Sequence, residues 1–288
     1  MKNDLRNVRS RRYAGVSPFR RLALGAWDPP RDPTMYGSVE LDATPILAYL
    51  EAQRARGVHA TVTHVVGRAL AVALAERPDL NVLIRRGRFY RREDVDIFFQ
   101  IALHADSADP AALDLSGFVV RNADTKSVAD LAAEFAMRVD SVRQDTDPEM
   151  ARVRRSLGRV PAPLLRPLHW VLDALQYGLN LRLPGVPRDS FGSAMVTNVG
   201  MFGLTSGYAP LFPPAHCPIV LLIGAVTRRP WVVADEKGER VEVRPVLPLH
   251  ATLDHRVLDG VQAARIAARI RELLASPDLL DPAPDPPR

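Results

Sequence analysis

The 288-residue chain contains one cysteine, Cys217, and no long run of apolar residues. A single cysteine excludes a disulfide framework within one chain and any zinc site built from several cysteines, and it favours a reducing, cytoplasmic location. No stretch approaches the roughly 18 consecutive apolar residues of a membrane span, so we expect no transmembrane segment. The spacing of the histidines and acidic residues indicates no metal site.

The chain also lacks a concentrated charge of one sign. Its net charge is +5, but arginine and lysine are spread along the whole length, and acidic residues accompany them in every helical stretch. This pattern is typical of a solvated surface and not of a nucleic-acid-binding patch. Hydrophobic residues make up 47% of the chain, which is enough for a sizeable core.

Helix and strand signals alternate along the chain. One amphipathic helix is predicted from an N-cap at Thr44 to a stop at Gly57, and a second from an N-cap at Thr63 to Pro78. Strand signals follow in "NVLIRR", "RFYRR" and "DIFFQIAL". Interleaved helices and strands predict a single α/β domain.

The second half of the chain continues this alternation. Ser127 and Asp130 form the capping-box pattern that opens a third helix. The stretches "SAMVTNVG" and "CPIVLLIGAV" read as strands, a hairpin turns near Lys237 and Gly238, and "VQAARIAARIRELLA" reads as the last helix.

Residues 147–188 interrupt the rhythm because they are rich in proline and arginine. Within them, leucines recur at spacings of three and four, which predicts an amphipathic helix with loop flanks. These leucines are Leu165, Leu168, Leu172, Leu175 and Leu179. Such a helix packs on its own domain or lies on a membrane surface, and the first alternative is favoured.

The stretch "LDHRVLDG" places His255 four positions before Asp259 and ends on Gly260, where a strand meets the last helix. Histidine suits general-base chemistry because its ordinary pKa is near neutrality. A structural hydrogen-bonding pair at a strand end has the same spacing. The residues alone therefore leave a catalytic and a structural interpretation open.

Four motifs in a fixed order extend this stretch to a family resemblance. "DHRVLDG" meets the pattern DHRxxDG at every fixed position, and it follows "VVRNAD" at 119–124, "TNVGMFG" at 197–203 and "FPP" at 212–214. In these motifs the chain resembles the catalytic domain of the acyltransferase component of 2-oxo acid dehydrogenase complexes. The resemblance implies an α/β fold of the chloramphenicol acetyltransferase type, a mixed sheet covered by helices in one domain.

The resemblance also implies a mechanism. It implies a homotrimer with active sites at the subunit interfaces, each a channel that coenzyme A enters from one end and the second substrate from the other. His255 would be the general base, and Thr197 of the neighbouring subunit would donate a hydrogen bond to the oxyanion. Asp259 would be structural, in a salt bridge that shapes the loop behind the histidine.

The domain organisation that we expect departs from the family pattern. We expect a basic N-terminal arm at 1–25, a catalytic domain at 26–277 with an extended helical segment at 147–188, and a proline-rich disordered tail at 278–288. No lipoyl-type hairpin precedes the first helix, which predicts a free-standing enzyme without a lipoyl group of its own. Its acyl partner would be a small molecule, or a lipoyl or carrier protein encoded elsewhere.

Two further hypotheses concern the segment and the tail. Residues 164–179 would cover the acceptor end of the channel, since they precede the strand that carries Thr197. In the family, trimers join into cages through apolar residues at the extreme C-terminus, and the end "LLDPAPDPPR" offers little apolar area. We therefore expect discrete trimers.

Other functions and other residues remain as alternatives. One alternative is that the chain is a non-catalytic core or scaffold subunit. The other is that it is an acyl-transfer or condensation enzyme of specialised metabolism. His64 and His250 are interpreted as partners of local polar groups. A Cys217–His216 nucleophile pair is disfavoured because adjacent residues on a strand point to opposite faces.

Overall fold

The computed structural model describes residues 32–103, 114–143, 160–184, 186–236 and 238–281. From Thr34 onward they belong to one compact unit. The predicted basic arm at 1–25 lies outside the described residues. The helices are α1 Thr44–Ala55, α2 Val62–Ala75, α3 Val128–Arg143, α4 Ala162–Asp173 and α5 Gly260–Ala275. The strands are β1 Thr34–Asp42, β2 Val82–Arg85, β3 Arg88–Arg91, β4 Ile97–Leu103, β5 Asp114–Val120, β6 Ala194–Asn198, β7 Ile219–Ile223, β8 Thr227–Asp235 and β9 Gly238–Asp254.

Seven of the described strands form a mixed sheet in the order β1-β9-β7-β6-β4-β5, with β8 paired to the first part of β9. Strands β4, β6 and β7 run parallel, and their outer neighbours run antiparallel to them. Strands β2 and β3 form a separate hairpin. The predicted α/β class with a mixed sheet covered by helices is confirmed.

Helix α2 packs directly on the helix-covered face of the sheet. Its residues Val66, Leu70 and Leu74 are buried in the main core together with Phe99 of β4. A Cβ atom at Gly67 would lie 2.4 Å from the Phe99 ring, so only glycine permits this close approach. The same face of β6 buries Ala194 and Val196.

The starts of the first two helices differ from the prediction by one or two residues. Thr44 is the first residue of α1, and its main-chain N–H donates to the Asp42 carboxylate at 2.8 Å. The N-cap of α2 is Thr61 and not Thr63, because the Thr61 N–H donates to Nδ1 of His64 at 3.1 Å. Histidine is not the usual partner in a capping box, which normally has glutamate or glutamine at that position.

The predicted start of the third helix is confirmed. The Ser127 N–H donates to the Asp130 carboxylate, and the Asp130 N–H donates to Oγ of Ser127, both at 3.1 Å. The predicted hairpin is also confirmed, with Gly238 at φ +107° as the first residue of β9.

The C-terminal residues up to 281 are ordered, which corrects the predicted tail boundary at 278. Residues Pro277–Leu280 form a 3₁₀ helix whose Leu280 side chain is fully buried in the main core. The Asp281 carboxylate accepts hydrogen bonds from the Tyr49 hydroxyl at 2.8 Å and from the Val128 N–H at 3.1 Å. The prediction failed because proline-rich composition carries no information on these distant partners. Residues 282–288 of the predicted tail lie outside the described residues.

The extended segment contains the predicted amphipathic helix as α4, which continues into a π-helical turn at Ala174–Gly178. The segment is joined to the domain: Asp173 pairs with His216, and the Tyr177 hydroxyl donates to Asp189 at 3.1 Å. The leucines of the predicted stripe are half-buried or, for Leu179, exposed, so packing of this helix on its own domain stays a prediction. Residues 147–159 lie outside the described part. No helix in the described ranges is long and apolar enough to cross a membrane.

Candidate functional site

A cavity of about 1010 Å³ lies where two neighbouring strands of the sheet separate. Strands β4 and β6 pair only over Ile97–Phe99 and Ala194–Val196. Beyond that point Thr197 and Asn198 pair with β7 alone, so the sheet is open between β4 and β6. The cavity is lined from both sides of this opening. Its lining includes Phe98, Met195, Thr197 and Leu222 from one face, and His64, Ser116 and Phe135 from the helix-covered side.

Side chains alternate between the two faces of a strand, and this alternation shows on which face of the sheet each lining residue lies. In β6, Val196 is buried in the helix-covered core, so Thr197 points to the opposite face. In β5, Phe118 and Val120 are buried in that core, so Ser116, two residues earlier, points to the helix side. Thr197 and Ser116 therefore line the same cavity from opposite sides of the sheet.

Thr197 brings a free hydroxyl into this cavity. Its side chain is 9% exposed, and within the described part of the chain Oγ1 has no hydrogen-bond partner. A hydroxyl both donates and accepts hydrogen bonds, so an unpartnered one at a cavity wall is available to a ligand.

Asn198 fixes the end of the strand that carries Thr197, and sequence reasoning did not identify it. Its Nδ2 donates to Oγ1 of Thr63 at 2.9 Å, and its Oδ1 accepts the Gly200 N–H at 2.8 Å. The side chain thus connects β6 to the first turn of α2 and to the loop that follows. The sequence "TNVG" indicates this role of Asn198, because an asparagine side chain at a strand end often forms a hydrogen bond with the main chain two residues later.

His255 lies in a tight turn after β9 that is held by Asp254. The main-chain oxygen of Asp254 accepts the N–H groups of Val257 and Leu258 at 2.9 and 3.0 Å. Its buried carboxylate accepts the main-chain N–H of Arg256 at 2.9 Å and the Arg256 guanidinium at 2.7 Å, which raises the pKa of Arg256. The imidazole of His255 is exposed and has no partner among the described residues.

Asp259 has a different structural role from the one that the resemblance implied. Its carboxylate accepts the Gln262 N–H at 2.9 Å, and Gln262 Oε1 accepts the Asp259 N–H at 2.8 Å. This is a capping box at the start of α5. Within the described residues Asp259 forms no salt bridge, so that expectation is corrected. The ion pair of this motif is Asp254–Arg256 instead.

We predict that Asp259→Ala lowers the free energy of unfolding by about 1 kcal/mol, because the first turn of α5 loses its cap. Asp259→Asn should retain most of the stability, since asparagine caps helices about as well as aspartate. Urea denaturation of the three proteins measures both effects. Equal destabilisation by alanine and asparagine would indicate a role for the negative charge and contradict the capping role.

The two residues proposed for catalysis are far apart within one chain. Thr197 is aligned with Leu222 of β7, and Leu222 is aligned with His250 of β9. His255 lies five residues further along, which corresponds to about 17 Å at the rise of a β-strand. His255 does not line the cavity that contains Thr197. One chain therefore does not bring the imidazole and the hydroxyl together.

The other histidine and cysteine candidates have structural surroundings. His250 Nε2 lies 3.1 Å from the main-chain oxygen of Thr205, a local polar partner as expected. The ring of His216 stacks on Tyr177 with centroids 4.0 Å apart, and burial raises the pKa of the Cys217 thiol to about 12. His216 and Cys217 both precede β7 and neither lies on a strand, so the argument from strand alternation does not apply. The raised thiol pKa and the pairing of His216 with Asp173 disfavour a Cys–His nucleophile pair.

The described part of the extended segment does not line the cavity. None of the described residues from 160 to 184 lines it. Phe191 and Phe212, whose ring centroids are 5.5 Å apart, both line the cavity. The hypothesis that residues 164–179 cover the acceptor end of a channel between subunits stays a prediction.

Comparison with known families decides the classification. The sequence profile of the family described as 2-oxoacid dehydrogenases acyltransferase (catalytic domain) matches residues 31–149 and 189–281, more than half of the chain. The chain belongs to this family. The match leaves out residues 150–188, which is most of the segment expected to be longer than its family counterpart.

Individual members of the family are distant from this chain. The dihydrolipoyllysine-residue acetyltransferase component of the pyruvate dehydrogenase complex of Acholeplasma laidlawii is 26% identical over 78% of this chain and 32% of its own length. The chain spans between 32% and 47% of the length of three such curated relatives.

Solved structures of family members share the fold. The probable dihydrolipoamide acetyltransferase from Listeria monocytogenes 4b F2365 superposes with a TM-score of 0.61 at 20% identity, covering 92% of this chain and 94% of its own. The dihydrolipoamide acetyltransferase of Azotobacter vinelandii has a TM-score of 0.61 at 23% identity, covering 87% and 84%. Its structure is described as an investigation of the roles of a serine, a histidine and an asparagine in the catalytic mechanism.

Proposed function

We propose that this protein transfers an acyl group between coenzyme A and a thiol of the dihydrolipoyl type or a small-molecule acceptor. Membership of the acyltransferase family supports the reaction class. The observation that carries the proposal is the free hydroxyl of Thr197 at the opening between β4 and β6, in a cavity of about 1010 Å³. A hydroxyl that is not bonded within the protein is the group needed to stabilise an oxyanion.

The base is His255 of a neighbouring chain. Within one chain His255 lies about 17 Å along the sheet from the position of Thr197, which is too far for both to contact one substrate carbonyl. A symmetric oligomer solves this problem, because the exposed His255 of one subunit enters the cavity of the next. In the Azotobacter enzyme, the histidine and asparagine named for the mechanism are four positions apart, as are His255 and Asp259.

The reaction proceeds through a tetrahedral intermediate. The imidazole of His255 removes the proton from the attacking thiol, and the resulting thiolate forms a bond to the thioester carbon. The carbonyl oxygen becomes an oxyanion and accepts a hydrogen bond from Oγ1 of Thr197. The carbon–sulfur bond to the first thiol then breaks, and the departing thiolate takes the proton back from His255.

The direct test is a screen of the purified protein with a panel of acyl-CoAs and with thiol, amine and alcohol acceptors, followed by mass spectrometry. We expect transfer to thiols such as dihydrolipoamide. Transfer only to amines or alcohols would support an enzyme of specialised metabolism instead. A protein that transfers no acyl group to any acceptor, yet assembles normally, would be a scaffold subunit, and the proposal would be wrong.

A separate prediction concerns assembly. We expect a discrete trimer of about 95 kDa, three chains of 31.8 kDa, without a cage. One structural neighbour is the cubic core of a pyruvate dehydrogenase complex. In this chain Leu280 is buried in its own core, so only Leu279 of the pair remains exposed for a contact between trimers. Size exclusion with light scattering measures the mass. A particle near 0.8 MDa would contradict the prediction.

A further inference from the structure

His64, a residue of the cavity wall, has a buried hydrogen-bond donor without a partner among the described residues. The side chain is 4% exposed and lines the helix-covered side of the cavity. Its Nδ1 accepts the Thr61 N–H at 3.1 Å, so in the neutral ring the proton is on Nε2. This Nε2–H is buried and has no hydrogen-bond partner among the described residues. Edge contact with the Phe135 ring, at a centroid distance of 4.6 Å, fixes the plane of the imidazole.

Ser116 is a second polar group of the same kind. It lies on β5, is 7% exposed and lines the same side of the cavity. Its Oγ is also buried without a partner in the described ranges. A buried polar atom without a partner destabilises a fold, and two of them at one cavity wall are explained when a ligand supplies the missing partner.

We propose that His64 and Ser116 form a polar subsite that hydrogen-bonds a neutral oxygen in the chain of the acyl group or of the acyl acceptor. The subsite rests on the proposed function, and it selects substrates without taking part in proton transfer. Its ligand is an oxygen such as a keto or amide carbonyl, several atoms away from the reacting carbon.

The position of the subsite relative to Thr197 supports a ligand oxygen that lies several atoms away from the reacting carbon. Thr197 points to the opposite face of the sheet, so a substrate must pass through the opening between β4 and β6 to contact both sites. The hydrogen bond between Asn198 and Thr63 connects the two sites, since each residue directly adjoins one of them. A chain whose carbonyl lies at Thr197 thus extends its distal part towards His64 and Ser116.

The chemistry of the cavity favours a neutral ligand atom. Burial lowers the pKa of His64 to about 4, so the imidazole is uncharged at neutral pH and donates through Nε2 without attracting an anion. The other ionisable residues in the described lining of the cavity are His59, Asp140 and Tyr208. The carboxylate of Asp140 disfavours a second negative charge nearby. Neutral oxygens therefore fit the subsite better than carboxylates.

The test compares substrates that are matched in length. The donor pair is 5-oxohexanoyl-CoA and hexanoyl-CoA, and the acceptor pair is N-acetylcysteamine and pentane-1-thiol. We expect the oxygen-bearing member of one pair to be favoured about tenfold in kcat/KM, as one added hydrogen bond provides. The pair that shows the preference identifies whether the donor or the acceptor occupies the subsite. Equal kcat/KM values within both pairs would overturn the proposal.

Two variants test whether Ser116 and His64 cause the preference for the oxygen-bearing substrate. Ser116→Ala removes the hydroxyl, and His64→Phe removes the donor but keeps a ring against Phe135. Each should reduce the preference to about twofold while leaving kcat/KM for the apolar substrate nearly unchanged. The control is Thr125→Val, which removes an exposed hydroxyl outside the cavity and should keep the preference. If both variants slow the two members of a pair equally, His64 and Ser116 serve packing alone and the subsite is wrong.

Calorimetry separates this proposal from the proposed function. Titration with 5-oxohexanoyl-CoA and hexanoyl-CoA measures binding in the absence of an acceptor. A tenfold difference in Kd that Ser116→Ala abolishes supports the subsite even if no acyl group is transferred, in which case only the proposed function fails. Transfer without any preference, in binding or in rate with either pair, overturns the subsite alone.

Discussion

Replacing His255 with alanine is expected to lower kcat by about 10² to 10⁴-fold, the usual contribution of a general base. The melting temperature should remain unchanged, because the imidazole is exposed and forms no hydrogen bond with the described part of its own chain. Steady-state kinetics and thermal denaturation of the same preparation measure both quantities.

A matched control for this variant is His169→Ala. His169 is a half-buried histidine on α4, in the segment that does not line the cavity. Its replacement should leave kcat within about threefold of the wild type, as for a substitution away from the chemistry. Wild-type turnover by the His255 variant would show that this histidine is not the base.

Replacing Thr197 with valine is expected to lower kcat by about 10² to 10³-fold, because one oxyanion donor is lost. Valine is similar in volume, and the hydroxyl has no partner in the described structure, so stability should not fall. The KM for acyl-CoA should change little, since the hydrogen bond forms only in the transition state.

Thr197→Ser is the control for this substitution, because it removes the methyl group and keeps the hydroxyl. It should retain most of the wild-type kcat. A valine variant that raises KM without lowering kcat would mean that Thr197 binds the ground state of the substrate and does not stabilise the oxyanion.

The site residues that the sequence predicted are those with a local motif. His255 and Asp259 were identified by "DHRVLDG", and the capping role of Asp259 was also readable, since aspartate followed three residues later by Gln262 is a capping pattern. The salt-bridge expectation came from the family resemblance and overrode this local signal. Ser127 and Asp130, by contrast, were assigned from the local pattern and were confirmed.

The features that the sequence did not predict depend on distant parts of the chain. The cavity exists because β4 and β6 separate after Phe99 and Val196, and no pattern within either strand specifies where the pairing ends. A local polar partner of His64 was expected, and its Nδ1 has one at the start of α2. The lack of a described partner for its Nε2 was not expected and follows from its place beside the cavity. The burial of Leu280 likewise requires the packed core, which lies far from it in the sequence.

The central claim is that each active site combines His255 of one chain with Thr197 of another, and mixed trimers test it most directly. His255→Ala and Thr197→Val chains, each inactive alone, are unfolded together in equal amounts and refolded. Random assembly places an intact His255 next to an intact Thr197 at about one site in four, so we predict about a quarter of the wild-type activity. Mixtures that assemble into trimers but stay as inactive as either parent would show that both residues act within one chain, and would contradict the shared site.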